Sequence, residues 1–357
     1  MGCNLYHRFG SAFIPVKVFN VSAVLVFLAS VPLGYTRILG LVYAAYWVLQ
    51  ICSGFFWPPV MAWLTSGLNR QELNREIGLY NRSWMAGSII GPLVSGFLYQ
   101  WKSGLDFFVL SLSFFLVKPF LYLMRRSFQA GNYGVADVPR DALPPRDALQ
   151  EIVEASKTSD KRLDLYRYRG WVSGLSSMIF VGVLVNILPL HIRDGLGLTE
   201  RSAGVMLFVR CVMSFVGFSI LARFVNWHFN QKWFVFLQYG LMLCTVLLMF
   251  AGNKFFIYVV VVLLYGLMYS AGYNNSMFYS GATGGNPKKN LALHEIFLCI
   301  GNASGTMLGG FFYQYFRLTG TCIALFLALG VGLGILVFLG RRDARLSVEL
   351  GHINDET

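Results

Sequence analysis

The sequence predicts an all-α polytopic membrane protein: about ten membrane-crossing helices arranged in two related halves. Three observations carry that prediction. Hydrophobic residues make up 56% of the chain and charged residues only 13%, with a mean hydropathy of +0.57, which is too apolar for one soluble core. The apolar residues gather into about ten runs, each long enough to cross hydrocarbon as a helix. One stretch also occurs twice. Gly87, Gly91, Gly96, Phe97 and Tyr99 return at a constant offset of 214 as Gly301, Gly305, Gly310, Phe311 and Tyr313. A long internal repeat sets the architecture before any local reading begins.

Taken in order, the predicted spans cover roughly residues 18–36, 40–66, 77–100 and 105–124, then 171–191, 203–225, 232–251, 254–280, 291–314 and 319–340. Four spans therefore make up an N-terminal half over residues 1–124, and six make up a C-terminal half over 170–340. Residues 125–169 between them are rich in Pro, Asp and Arg and read as a cytoplasmic linker, with a short surface helix expected over Asp141 to Lys157. Residues 341–357 form a cytoplasmic tail. The landmarks Arg8, Phe9 and Lys17 recur as Arg223, Phe224 and Lys232. The repeat thus aligns Met1 with the sixth span and implies two further helices, about 44 residues, upstream of it.

The third span and the ninth carry the repeated motif. Gly78, Gly87, Gly91, Pro92 and Gly96 punctuate one, and Gly301, Gly305, Gly309 and Gly310 the other. A small residue at every fourth position lets two helix backbones approach closely within a bilayer.

The formal net charge of +12 does not require a nucleic acid. With Met1 on the cytoplasmic side, that side holds 20 of the 29 Lys and Arg residues, the outer side holds six, and Arg82, Lys118 and Arg210 fall within spans. The bias places both termini in the cytoplasm by the positive-inside rule, as expected for a multi-pass protein of the plasma (inner) membrane. The six cysteines are scattered, with no CxxC or Cys/His pairing, so neither a metal site nor a disulfide is expected. No catalytic Ser/His/Asp group and no cofactor motif is present, which points away from an enzyme.

On these residues the chain resembles the major facilitator superfamily over nearly its whole length. The third span carries the closest match: Gly78, Gly87, Gly91 and Pro92 follow the glycine and proline spacing of drug–proton antiporters in that family, with Ser95 at the last glycine position. Arg8, Phe9 and Gly10 resemble the end of the family's loop between helices two and three. The resemblance implies two helical halves related by an axis along the membrane normal, with a solute site between them near the midplane.

An ionisable side chain inside a bilayer is costly enough to mark a functional candidate. Arg210 lies about seven residues, roughly 10 Å, into the sixth span, where it meets an anionic solute, pairs with a carboxylate elsewhere in the protein, or serves as a buried structural cation bonded to backbone carbonyls. Arg82 and Glu295 sit on the two repeat-related helices and are either partners in an inner gate or residues at the headgroup level. His294 beside Glu295 makes a candidate proton relay, and Glu295 is the only carboxylate clearly inside a predicted span.

Tyr265, Tyr269, Tyr273 and Ser276 fall on one face of the eighth span, with Asn274 and Asn275 adjoining. This stripe is a cavity wall, an interfacial belt or ordinary interhelical hydrogen bonding; by the resemblance, this helix lines the cavity. Trp57 and Trp63 flank a Pro-Pro pair on the equivalent helix of the first half, and Asn186 adds an amide on the fifth span.

The expected activity is secondary transport of a small organic solute by alternating access, leaning toward proton-coupled export. A nutrient-uptake permease and a non-transporting sensor or scaffold are the alternatives.

Overall fold

The computed structural model describes residues 15–45, 47–49, 51–52, 70–101, 105, 107–109, 112–113, 146–224, 227, 232–282 and 287–354. Its helices are α1 (Pro15–Tyr35), α2 (Arg70–Trp101), α3 (Arg146–Asp194), α4 (Glu200–Leu221), α5 (Lys232–Met249), α6 (Phe255–Ala282) and α7 (Pro287–Asn354). No strand occurs among the described residues. Trp57 and Trp63, with the prolines between them, lie outside the described residues, as does most of the fourth expected span.

The chain divides into two compact units. The first takes in Met1–Gly67, Ile90–Ser159 and Leu291–Leu293. Within it, α1 buries Ser22, Val26, Ala29 and Ser30, a three-and-four spacing that gives the helix one inner stripe. The Ser30 hydroxyl donates to the Val26 carbonyl at 2.6 Å, so this polar side chain needs no partner from another helix. Residues 39–45, 47–49 and 51–52 are also helical.

The second unit takes in Leu68–Ile89, Asp160–Asn290 and His294–Thr357. It therefore contains the first part of α2 and nearly all of α3 to α7. Among its described residues five helical stretches are long and apolar enough to cross a membrane: Leu165–Asp194, Ser202–Leu221, Lys232–Met249, Phe255–Ala282 and Lys289–Arg345. The last is two helices in series, because Arg317 (φ 56°, ψ −159°) breaks the helical path between them. The break falls between the two spans expected at 291–314 and 319–340. α3 runs without interruption from Arg146 through the end of the expected linker and into the membrane. The helix foreseen in the linker and the fifth span thus form one element.

At the centre of the second unit is α6. Every residue from Tyr269 to Ser280 is buried, so this stretch is covered on all sides by other helices. Small residues make that possible. A methyl added at Gly266 would lie 2.7 Å from the Arg210 carbonyl oxygen and 2.8 Å from the Met213 Cβ on α4. One added at Gly174 of α3 would lie 3.0 Å from the Ser276 Oγ of α6.

The second copy of the glycine motif does the same between α3 and α7. A methyl at Gly301 would sit 2.7 Å from the Leu175 carbonyl oxygen, and one at Gly309 would sit 2.8 Å from Ile187 Cγ1. At Gly305 it would run into the Ile179 carbonyl. From the other helix, a methyl at Gly182 would sit 2.7 Å from the Thr306 nitrogen and 3.0 Å from the Gly305 carbonyl carbon. The two backbones are in direct contact, the close approach expected of a small-residue seam in lipid.

Not every glycine in the repeat works this way. In the first copy Gly78 packs onto Ala222, the C-cap residue of α4, but among the described residues no atom lies within 4 Å of a methyl placed at Gly87 or Gly91. Gly310 is likewise open. These three are exposed because they lie on other faces of their helices than the packed glycines. Pro92 and Gly96 lie within the helical span of α2.

Gly305→Leu should therefore force α3 and α7 apart and lower the unfolding temperature in detergent, with a cost of about 1–3 kcal/mol. Gly310→Leu on the same helix should melt like the native protein. Equal effects of the two changes in a thermal melt would contradict the seam.

Candidate functional site

Helices α2, α4, α6 and α7 bring a set of polar and aromatic side chains together around the middle of α6. The close crossing at Gly266 fixes the α4 backbone at Arg210, and the Arg210 guanidinium lies over the Tyr269 ring, 5.9 Å from its centroid. Arg210 Nη2 donates to the Cys211 sulfur at 3.1 Å, a weak acceptor. Its Nε is buried with no hydrogen-bond partner, and no carboxylate pairs with Arg210 among the described residues. A cation in that setting is stabilised mainly by an aromatic face and remains open to an anion.

Trp84 of α2 approaches the same tyrosines. Its ring centroid is 6.5 Å from that of Tyr269 in a T-shaped contact, 5.7 Å from that of Tyr273, and 6.5 Å from that of Phe218. The indole N–H, which can only donate, bonds to Asn81 Oδ1 at 3.3 Å. That contact fixes the Asn81 amide, whose Nδ2 then donates to Asn274 Oδ1 at 3.3 Å. The chain of bonds in turn fixes Asn274, leaving its Nδ2 buried without a partner. Two hydrogen bonds thus run from Trp84 through Asn81 to Asn274, the second of them crossing from α2 to α6, and the chain ends in an unused donor.

On the α7 side, Ser276 Oγ and His294 Nδ1 are 2.7 Å apart, and the His294 ring packs edge-on against Tyr273 with centroids 5.3 Å apart. His294 Nε2 is buried without a hydrogen-bond partner and lies 3.8 Å from Glu295 Oε1. Ser280 extends the polar line toward α3, accepting from Trp171 Nε1 at 2.8 Å and donating to the Ser276 carbonyl at 2.7 Å. At the other end Tyr265 donates to the Ser177 carbonyl at 2.7 Å and stacks on Phe180 with centroids 4.5 Å apart. Buried polar atoms are nearly always hydrogen-bonded. Three exceptions among the described residues, namely Arg210 Nε, Asn274 Nδ2 and His294 Nε2, lie around this one tyrosine stripe.

Of the residues singled out in the sequence, Arg210, Tyr269, Tyr273, Asn274, Ser276, His294 and Glu295 belong to this cluster. Tyr265 adjoins it, and Asn275 is buried beside it against α3, its carbonyl oxygen 3.3 Å from a methyl placed at Gly170. Asn186 stands apart: it is exposed, and its amide donates to the Gly182 carbonyl and to Thr306 Oγ1 at 2.8 and 3.0 Å. It belongs to the seam between α3 and α7. Arg82 is not joined to Glu295 among the described residues. Its Nε folds back onto the Gly78 carbonyl at 3.2 Å, one turn earlier on its own helix.

Asn81 and Trp84 are the participants that sequence reasoning passed over. The signal was present in the spacing, because Asn74, Ile77, Gly78, Asn81 and Met85 form one buried stripe on α2 with Trp84 at its edge.

Comparison with known proteins adds the following. The Major Facilitator Superfamily profile matches residues 5–290. No curated protein matches at a significant level. Solved structures do. The human organic anion transporter MFSD10 (TETRAN) superposes with a TM-score of 0.65 at 14% identity, covering 90% of this chain and 77% of that one. A bacterial homologue of the iron transporter ferroportin, in an outward-facing state, gives 0.64 at 13% identity, covering 95% and 88%. The E. coli fucose:proton symporter FucP gives 0.59 at 13%, covering 95% and 86%. At these identities the similarity is one of fold.

Asn81→Ala removes the middle link between Trp84 and Asn274 and leaves the half-buried indole N–H and the buried Asn274 amide oxygen without that partner, at a cost of about 1–3 kcal/mol for the buried group. A thermal melt should show a clear loss for this variant and none for Ser83→Ala, whose hydroxyl is exposed and bonds only to the Leu79 carbonyl of its own helix. An unchanged melt for Asn81→Ala would mean that the amide chain does not hold α2 to α6.

Proposed function

The chain belongs to the Major Facilitator Superfamily of secondary transporters, and we propose that it carries a small organic anion across the membrane by alternating access, exporting it in exchange for protons. The observation that supports this most is Arg210: a guanidinium at mid-helix with an aromatic neighbour, a buried Nε without a partner and no paired carboxylate among the described residues. A carboxylate or similar group on a solute supplies the missing counter-charge and can bond two guanidinium nitrogens at once. Asn274 Nδ2 is a further donor for the same solute, and the tyrosine rings accommodate its apolar part.

Transport then follows from two conformations that expose this place alternately to either side, with the solute bound near the midplane between the two halves. Proton coupling fits His294 and Glu295. They are neighbours on α7, and His294 already touches Ser276 and Tyr273 on the tyrosine helix, so a proton taken up at Glu295 alters the charge facing the solute. The export direction rests on the antiporter-type glycine and proline spacing of α2. The distribution of Lys and Arg supports an orientation with both termini cytoplasmic, and a plasma or inner membrane is the location we propose.

With protein reconstituted in liposomes and a panel of radiolabelled carboxylates, Arg210→Ala should reduce flux by about 10- to 100-fold, the loss of a charge-assisted hydrogen bond, while the protein still inserts and elutes as a single species. Native flux in that variant would remove Arg210 from the site. Glu295→Gln should keep solute exchange at zero gradient yet lose its acceleration by an imposed pH gradient. A retained response would place proton coupling elsewhere.

A further inference from the structure

The same site carries information about the apolar part of the solute, an inference that rests on the organic-anion reading above. We propose that the protein selects an aromatic carboxylate over its saturated counterpart, with Trp84 as the specificity-determining residue and Asn81 as the residue that positions it. Trp84 and Arg210 come from different helices, yet both lie against Tyr269, the guanidinium 5.9 Å and the indole 6.5 Å from its ring centroid. A solute whose carboxylate meets Arg210 therefore brings its adjoining atoms toward the indole. Both Trp84 and Arg210 are half-buried, whereas Tyr269 and Tyr273 beside them are buried, so it is the tryptophan and the arginine that keep surface open for contact.

The indole is not free to turn. Its N–H is held by Asn81, which is held by Asn274, and Phe218, Tyr269 and Tyr273 pack around it. Phe218 is itself in T-shaped contact with both tyrosines, at 6.3 and 6.0 Å. Rings arranged at such angles offer faces and edges to another ring, and an aromatic pair gains more than its buried area alone provides. A saturated ring of the same size matches the area but not that gain. The relay also explains why an asparagine occupies a buried position on α2: it accepts from the indole and donates to Asn274, which no apolar residue can do.

Benzoate and cyclohexanecarboxylate differ in little except aromaticity, so they serve as probes. In reconstituted protein loaded for counterflow, unlabelled benzoate should compete with labelled benzoate about three- to tenfold more effectively than cyclohexanecarboxylate does. Trp84→Leu should bring benzoate down to the level of cyclohexanecarboxylate, Trp84→Phe should keep most of the preference, and Asn81→Ala should lower the preference through KM with less effect on maximal rate.

Equal competition by the two acids in the unmodified protein overturns the proposal without needing any variant to fold. A preference that survives Trp84→Leu overturns the assignment to Trp84. If neither acid nor any other carboxylate in the panel is taken up, it is the organic-anion reading that fails.

Discussion

A guanidinium in the middle of a membrane helix must have its charge met by something, and at Arg210 the protein meets it with a ring and a sulfur. Hydrocarbon offers no hydrogen bonds, so each polar group that folds inward has to find its partner within the protein. Much of the second unit is organised by that requirement. The glycine at position 266 lets α4 come close enough for Arg210 to lie over Tyr269. Serine hydroxyls along the helices donate to carbonyls three or four residues back, as at Ser214, Ser219 and Ser270. Asn81 and Asn274 bond to each other and to an indole. At Arg210 Nε, Asn274 Nδ2 and His294 Nε2, beside one tyrosine stripe, the requirement is left unmet among the described residues. A protein that needed only stability would do better with apolar residues in these places, because a half-satisfied polar network is worse than an apolar core.

The packing around this cluster follows a second rule. Lipid tails are as apolar as leucine, so helices in a membrane gain little by hiding leucine from them and instead associate by close backbone contact and interhelical bonds. Gly301, Gly305 and Gly309 on α7 and Gly182 on α3 supply the contact, and Asn186 bonded to Thr306 supplies the glue. The tight seam holds α7 in register with α3 and so sets the height at which His294 meets Ser276 and Tyr273.

A large part of this was legible in the chain itself. Composition and run length gave the class, the offset of 214 gave the relation between the third and ninth spans, and the three-and-four spacing of Tyr265, Tyr269, Tyr273 and Ser276 placed them on one face. Arg210 stood out because charge is rare at that depth. What stayed hidden depends on how helices are rotated against one another, which spacing within a single helix does not specify. That is why Trp84 and Asn81 were not seen as neighbours of the tyrosines, and why the bond of Asn186 to Thr306 across α3 and α7 was not foreseen. Gly87, Gly91 and Gly310 share the spacing of the packed glycines yet meet no atom among the described residues: small residues mark positions where helices can touch, and only the packing decides which of them do. Arg82 and Glu295 looked like a pair because they are repeat-related neighbours, but a long arginine side chain also reaches its own helix carbonyls, and at Arg82 it does so.

The most direct test of the account is the accessibility of the tyrosine stripe from each side of the membrane. In a background with the native cysteines replaced, Tyr269→Cys in oriented vesicles would be exposed to an impermeant thiol reagent from one side and then the other, with and without carboxylate present. Alternating access around this stripe predicts labelling from both sides, with carboxylate protecting the residue. Labelling from neither side, or from one side only whatever is bound, would contradict a transport site at Arg210 and Tyr269.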